Sequence, residues 1–395
     1  MQIEVEKLVY GGDGLSRHEG RVVLTPYVLP AEQVRVEVAR ERKDMLEARV
    51  DEVLKPSPHR VAPPCPHFGI CGGCHYQHAE YKFQVEQKAA IVREVFARIG
   101  RIEIPGEIGT IAGEPFGYRN RIQVHIEGVR LGFKEGGSHK LEPIEQCPIA
   151  SPRLNESLQI IRGMLKNSRW PGFLRSLELF TNEKEVQVNV IETMAGRRVA
   201  RSFFDWCENE IPGAITGALE YEGFRVSHKS FFQVNRFLLK QLVETAIGDA
   251  KGELALELYA GVGLFSIPLA SRFTKVVAVE SSKSALADLE VNCRRAKTTV
   301  EHHRANADLF LETMQRKPEF VLADPPRAGL GAGVVRDLIR LQPRQIAVVS
   351  CDPSTMARDA KALLEAGYAI EKCQVIDLFP QTYHIETITH FTHGG

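Results

Sequence analysis

The chain has 395 residues, of which 44% are apolar and 25% charged, with fifty Lys+Arg balancing fifty Asp+Glu. That length predicts two or three domains with a real core, and the composition excludes a disordered, collagen-like or fibrous chain. A net charge of zero supplies no global field, so any polyanion must meet a local basic surface. Residues 1–7 are charged and alternating, unlike a secretory signal, no apolar run is long enough to span a bilayer, and eight cysteines are too dilute for a disulfide scaffold. The expectation is a cytoplasmic protein.

Residues 1–56 read as a small β module. Segments 3–8, 34–38 and 50–53 alternate with period two, and Gly11, Gly12, Gly14 and Gly20 punctuate the first part. Short strands with glycine turns suit an OB-like barrel, a fold that often binds single-stranded nucleic acid. Ten basic against eleven acidic residues in 1–60 make no basic patch, however. Pro56, Pro58, Pro63 and Pro64 mark a linker, and residues 78–98 carry helical periodicity. A mixed α+β stretch follows to about 215. Within it, residues 115–140 hold Arg119, Arg121, Arg130, Lys134 and Lys140 against Glu127 and Glu135, with Phe116, Tyr118 and Phe133 interleaved. Basic residues among aromatics suit RNA and equally a solvated strand face, so Arg119 and Arg121 are candidate RNA contacts. From about 250, apolar runs at 254–258, 276–279, 320–323 and 346–349 alternate with helical segments at 282–295 and 354–365. This is the pattern of a parallel sheet covered on both faces. The division predicted is 1–56, 57–215 and 216–395, with the helix at about 78–98 a candidate to pack on the last unit.

The first of these apolar runs opens into Tyr259-Ala260-Gly261-Val262-Gly263-Leu264, a loop whose glycines let backbone approach a ligand at the carboxyl edge of a sheet. Ser266 replaces the third glycine of a dinucleotide fingerprint, while Glu280, seventeen residues past Gly263, ends the next run, where it can accept ribose hydroxyls. A nucleoside-type cofactor is expected. No P-loop motif is present.

Cys65-x5-Cys71-x2-Cys74 lies in a glycine-rich loop, and Cys147 is the best fourth ligand. Four thiolates suit zinc or an iron–sulfur cluster. The spacing is not a paired knuckle, which favours iron–sulfur, and His67 or His75 replaces Cys147 in a zinc reading. Ser350-Cys351-Asp352-Pro353 and Asp324-Pro325-Pro326-Arg327 follow apolar runs at the same sheet edge. Cys351 precedes a predicted helix, whose N-terminus favours a thiolate. Arg327 suits a phosphate or a base edge. Phe379-Pro380…His384-Ile385-Glu386 offers Glu386 as a general base, with His384 as its rival. Phe231-Phe232-Gln233-Val234-Asn235 adds an amide beside two rings.

In order, these motifs resemble the S-adenosylmethionine-dependent RNA uracil-C5 methyltransferases, most closely the iron–sulfur branch acting on 23S ribosomal RNA. The resemblance covers nearly the whole chain. It implies an N-terminal TRAM barrel of OB type, a central α+β domain bearing a [4Fe-4S] cluster, and a C-terminal α/β Rossmann-like class I methyltransferase. It assigns cluster ligation to Cys65, Cys71, Cys74 and Cys147. The cofactor site would comprise Gln233, Tyr259, Gly261, Gly263, Leu264, Glu280, Asn306 and Asp324. Cys351 becomes the nucleophile, Glu386 the base, and Phe231 and Arg327 RNA contacts. Relatives often carry Asp where Glu257 stands, Asn or Thr where Leu264 stands, and Asn where Asp352 stands. Asp352 is therefore expected to raise the pKa of its neighbour unless offset.

The implied chemistry is attack of Cys351 on C6 of uracil, methylation at the activated C5, and loss of the C5 proton to Glu386. The target must be unpaired or flipped out. A monomer without membrane contact is expected, with ribosomal RNA as the first substrate and transfer RNA the second. A non-catalytic iron–sulfur RNA binder is the non-enzymatic alternative. Arg327 stands where a cytosine-C5 enzyme would need a cysteine, and the N-P-P-[YF] of amino-group methyltransferases is missing.

Overall fold

In the computed structural model, which describes residues 1–394, the alternating N-terminal segments pair into one sheet. Its strands are β1 (Gln2–Glu4), β2 (Lys7–Leu8), β3 (Asp13–His18), β4 (Arg21–Pro26), β5 (Gln33–Arg42) and β6 (Met45–Lys55), in the order β1-β5-β6-β4-β3-β2. Alternate positions Ile3, Val23, Val34, Val36 and Leu46 turn inward to one core, as a pleated strand with one wet face requires. The sheet curls on itself, with the Glu6 N–H donating to the Leu15 carbonyl at 2.8 Å. A Cβ at Gly14 would stand 2.3 Å from Val28 and 2.9 Å from Val5, so only glycine permits this closure.

After the linker comes α1 (Tyr81–Val95), prolonged by a π-helical turn at Phe96–Gly100, and then β7 (Gly109–Ile111). The next sheet comprises β8 (Arg121–Glu127), β9 (Arg130–Lys134), β10 (Leu141–Pro143), β11 (Leu174–Thr181), β12 (Val186–Thr193) and β13 (Ala214–Ile215), in the order β10-β9-β8-β11-β12-β13. Helices α2 (Pro152–Met164) and α3 (Arg201–Glu210) bury Leu158, Ile161 and Trp206 with Leu177 and Leu179. Pro152 opens α2, and the Ser151 hydroxyl accepts from the Leu154 N–H, a conventional helix start.

The hairpin β14 (Leu219–Tyr221) and β15 (Phe224–Val226) and helix α4 (Leu239–Ile247) lead into the last unit. It continues as β16 (Gly252–Leu258), α5 (Ser266–Leu269), β17 (Phe273–Glu280), α6 (Lys283–Arg295), β18 (Glu301–Arg304), α7 (Ala307–Thr313), β19 (Phe320–Ala323), α8 (Gly331–Leu341), β20 (Gln345–Ser350), α9 (Pro353–Glu365), β21 (Tyr368–Ile376) and β22 (Glu386–His393). The strand order is β18-β17-β16-β19-β20-β22-β21-β7. Strands β16 to β20 are parallel, and β22 runs antiparallel between β20 and β21. The apolar runs fill two cores, one on each face. Among the described residues, no helix is long and apolar enough to cross a membrane.

Residues 81–111 therefore leave the central segment. Strand β7 pairs in parallel with β21, and α1 packs on the same sheet. From α1 the Lys88 ammonium donates to Asp377 Oδ1 at 2.7 Å and to the Phe379 carbonyl at 3.0 Å, and both side chains of the pair are buried. Burial pushes the Lys88 pKa down while Asp377 holds the charge in place. One turn earlier, Gln84 accepts from the Gln381 N–H at 3.1 Å and donates to its Oε1 at 3.0 Å. The segment 377–381 is thus clamped by a helix whose Lys88 lies 289 residues before Asp377. Lys88→Met should cost about 3–5 kcal/mol because it leaves a buried carboxylate unpaired. Urea unfolding checks this, and adding Asp377→Leu should recover most of the loss.

Candidate active site

The carboxyl edge of the parallel strands forms a cavity of about 590 Å³. It is lined by Phe231, Gln233, Tyr259, Gly261, Leu264, Glu280, Asp324, Arg327, Cys351 and Glu386. Strand β16 enters a turn of left-handed residues, Tyr259 (φ 62°) and Gly261 (φ 56°), that carries the chain over the sheet edge. Glu280, at the end of β17, accepts from the Gly261 N–H at 2.8 Å and the Ser282 N–H at 2.6 Å. One carboxylate thereby sets both loops and keeps further lone pairs for a ligand. Gly263 lies behind the wall, where its missing Cβ spaces the loop from Leu289. Asn306 is exposed in an adjoining cavity that shares Tyr259 as a partition. Leu264 is buried and offers an apolar surface, and Phe231 projects at the mouth with 64% of its surface exposed.

Three acidic groups meet in this cavity. Gln233 donates to Asp324 Oδ2 at 3.2 Å, and burial pushes the Asp324 pKa up to about 7. Glu386, buried at the start of β22, is raised well above the usual carboxylate range by burial and then Asp324, against the pull of Arg327. Burial and then Glu386 push the Cys351 thiol up to about 11, Arg327 opposing them. The expectation that a helix N-terminus favours the thiolate therefore fails. The first free N–H groups of α9, from Ser354 and Thr355, are bonded to Asp352 Oδ1 at 2.8 and 3.1 Å, so Asp352 takes up the helix end. The leading influences on Cys351 are burial and Glu386, while Asp352 Oδ1 is engaged in this cap. His384 is held neutral: burial, then Arg327, pushes it down to about 3, and its Nδ1 lies 3.4 Å from Arg327 Nη2.

Arg121 is not a surface contact. Its guanidinium lies over the Phe180 ring at 4.2 Å and donates to the Ser230 carbonyl at 3.1 Å, and its Nε and Nη2 are sealed from solvent. It anchors the 230–235 segment, together with Asn120, which donates to the Gln233 carbonyl at 3.1 Å. On the α6 side Asp288 accepts from Ser227 and Ser230 hydroxyls at 2.8 and 2.6 Å. Arg119 lines a second cavity of about 460 Å³ instead.

That second cavity is walled by Cys65, Cys71, Cys74 and Cys147, all free thiols. Burial raises Cys71, pushes Cys74 up to about 12 and Cys147 up to about 11. Among the described residues, no three His, Cys, Asp or Glu side chains are gathered closely enough to hold a metal ion. The cysteine loop also touches the loop before β22: the His75 and Tyr76 N–H groups donate to the Gln381 carbonyl at 2.8 and 3.0 Å. Sequence reasoning missed this junction, the Lys88–Asp377 pair and the hydrogen bond from the Tyr10 hydroxyl to Asp352 Oδ2, because each joins residues remote in the chain. It also missed Lys229 at the cavity rim.

Residues 158–393 match the family model for tRNA (uracil-5-)-methyltransferases. The chain belongs to this family. It is 34% identical to an uncharacterized RNA methyltransferase of Aquifex aeolicus, covering 98% of this chain and 97% of that one. It is 32% identical to the 23S rRNA (uracil(1939)-C(5))-methyltransferase RlmD of Halomonas elongata, covering 99% and 89%. The crystal structure of the Pyrococcus abyssi tRNA (uracil-54, C5)-methyltransferase with S-adenosyl-L-homocysteine superposes with a TM-score of 0.76 at 26% identity, covering 99% of this chain and 100% of that one. As a member of the tRNA (uracil-5-)-methyltransferase family, the chain is an S-adenosylmethionine-dependent enzyme that methylates C5 of uracil in RNA.

Because ionised Glu386 raises the thiol, Glu386→Gln should move the alkylation midpoint of Cys351 to lower pH. Peptide mass spectrometry of iodoacetamide-treated enzyme across a pH series checks the direction.

Proposed function

We propose that the enzyme methylates a uridine of 23S ribosomal RNA through a covalent Cys351–C6 adduct, with Glu386 as the base. The observation that carries this reading is the meeting of Cys351, Glu386 and Asp324 in one cavity with the Gly261 loop. Full-length similarity to 23S rRNA enzymes at 32% identity supports ribosomal RNA over transfer RNA.

Uracil C5 is too weak a nucleophile to attack a methyl sulfonium directly. Cys351, as thiolate, forms a bond to C6, and the C5=C6 π pair moves into an enolate spanning C5 and O4. C5 then takes the methyl group, the S–CH3 bond breaks, and S-adenosylhomocysteine leaves neutral. Glu386 removes the C5 proton, the C6–S bond breaks, and the pair returns to Cys351. A carboxyl whose pKa is raised is the stronger base once ionised, which favours Glu386 over a histidine pushed down to about 3. A sulfonium cation in the cavity would pull the Cys351 and Glu386 pKa values down together, so the methyl donor helps ionise the groups that use it. The donor would lie across Gly261, Glu280 and Asp324, with Leu264 as an apolar wall and Asn306 reached past Tyr259. Phe231 at the mouth would stack on a nucleobase, and Arg327 would meet the target nucleotide.

The second cavity fits a [4Fe-4S] cluster better than zinc. A lone ion needs thiolates about 2.3 Å away, and no such gathering is present among the described residues. Four cysteines around about 460 Å³ leave room for a larger centre. Cys65, Cys71, Cys74 and Cys147 would hold it, and it would cross-link the loop that touches Gln381. No step of the reaction passes through it. The curled N-terminal sheet fits a TRAM barrel that adds RNA affinity.

Cys351→Ala should abolish methyl transfer. Glu386→Gln should trap a methylated RNA–protein adduct on denaturing gels, and free enzyme alone would sink the mechanism. Nucleoside mass spectrometry of RNA from cells lacking the gene should show 5-methyluridine missing from 23S ribosomal RNA, whereas its loss from transfer RNA would reverse the substrate assignment. Anaerobically purified enzyme should contain about four irons per chain, and Cys74→Ser should lose them with the visible absorption.

A further inference from the structure

Tyr10 belongs to the turn between β2 and β3, in the N-terminal sheet. Its hydroxyl donates to Asp352 Oδ2 at 3.2 Å and lies 3.4 Å from the Cys351 carbonyl oxygen. Its ring meets Tyr383 edge-on at 6.2 Å. The turn is pressed against the same segment at Gly12, where a Cβ would come within 3.3 Å of Tyr383. Asp352 divides its two oxygens: Oδ1 caps α9, and Oδ2 is taken by Tyr10. Burial and Asp352 raise the phenol, so it keeps its proton and donates it to the carboxylate.

We propose that Tyr10 is a positioning residue for the nucleophile. By holding Asp352 Oδ2 it directs that carboxylate toward the N-terminal sheet and fixes the backbone from which Cys351 presents its sulfur. Docking of the N-terminal module is then part of assembling the active site, beyond any affinity for RNA. The proposal rests on the reading of Cys351 as nucleophile. The charged and titratable groups around that sulfur are Glu386 of β22, Asp324 and Arg327 of the loop after β19, His384 of the segment before β22, and Tyr10 itself, with Asp352 next to Cys351 in the chain. Without the phenol, Asp352 Oδ2 loses its donor and its charge bears more strongly on Cys351.

Tyr10→Phe removes only the hydroxyl. Single-turnover methyl transfer to total RNA from cells lacking the gene should slow about tenfold, the lower end for one hydrogen bond to a charged group. The pH profile for iodoacetamide alkylation of Cys351 should move to higher pH, a change that a merely structural role would not produce. Asp352→Asn keeps the cap and removes the charge. The double variant Tyr10→Phe/Asp352→Asn should therefore alkylate within about twofold of wild type. A Tyr10→Phe enzyme with wild-type alkylation profile overturns the proposal, as does a shift that persists undiminished in the double variant. A shifted profile with unchanged transfer rate refutes Cys351 as nucleophile, and with it the catalytic relevance of Tyr10.

Discussion

Asp324, Cys351 and Glu386 line one cavity, and burial pushes the pKa of each upward. Asp324 raises both Glu386 and Cys351, Glu386 raises Cys351, and Arg327 opposes these shifts. Glu386 and Cys351 are thereby biased toward their neutral forms. In the proposed mechanism a cationic methyl donor offsets the repulsion that favours the protonated thiol and carboxyl. A thiolate permanently exposed to solvent would be alkylated or oxidised, so ionisation tied to the donor also protects the sulfur.

This electrostatic arrangement requires accurate placement, and three regions of the chain converge to supply it. Lys88 and Gln84 of α1 grip Asp377, Phe379 and Gln381. The cysteine loop donates two backbone N–H groups to Gln381. Asn120 and Arg121, at the start of the central sheet, hold the Ser230–Gln233 segment that presents Gln233 to Asp324. Glu386 begins its strand immediately after the clamped segment, so its position is inherited from contacts made far from it. The buried Lys88–Asp377 pair suits this task, since an ion pair in a dry interior tolerates little displacement.

Much of the last unit was legible. Runs such as 276–279 and 346–349 are apolar without alternation, which only a strand buried on both faces sustains. Loops after such strands fall at one sheet edge, so Gly261, Asp324 and Cys351 could be gathered before any coordinates. The charge states were not legible. Cys351 stands just before a helix, yet Asp352 occupies the helix end, and the thiol is raised. Arg121 looked like part of a basic patch because a strand shows alternate residues on opposite faces, and sequence alone does not say which face is dry.

By itself the sequence determined the order of strands and helices, the family and the set of reactive side chains, because these depend on local periodicity and on motifs a few residues long. The tertiary structure alone decided that β7 joins the last sheet, that Arg121 is an internal anchor and that Tyr10 reaches Asp352. Such contacts link residues tens to hundreds of positions apart. Their strength comes from burial and geometry, which exist only once the chain has closed on itself.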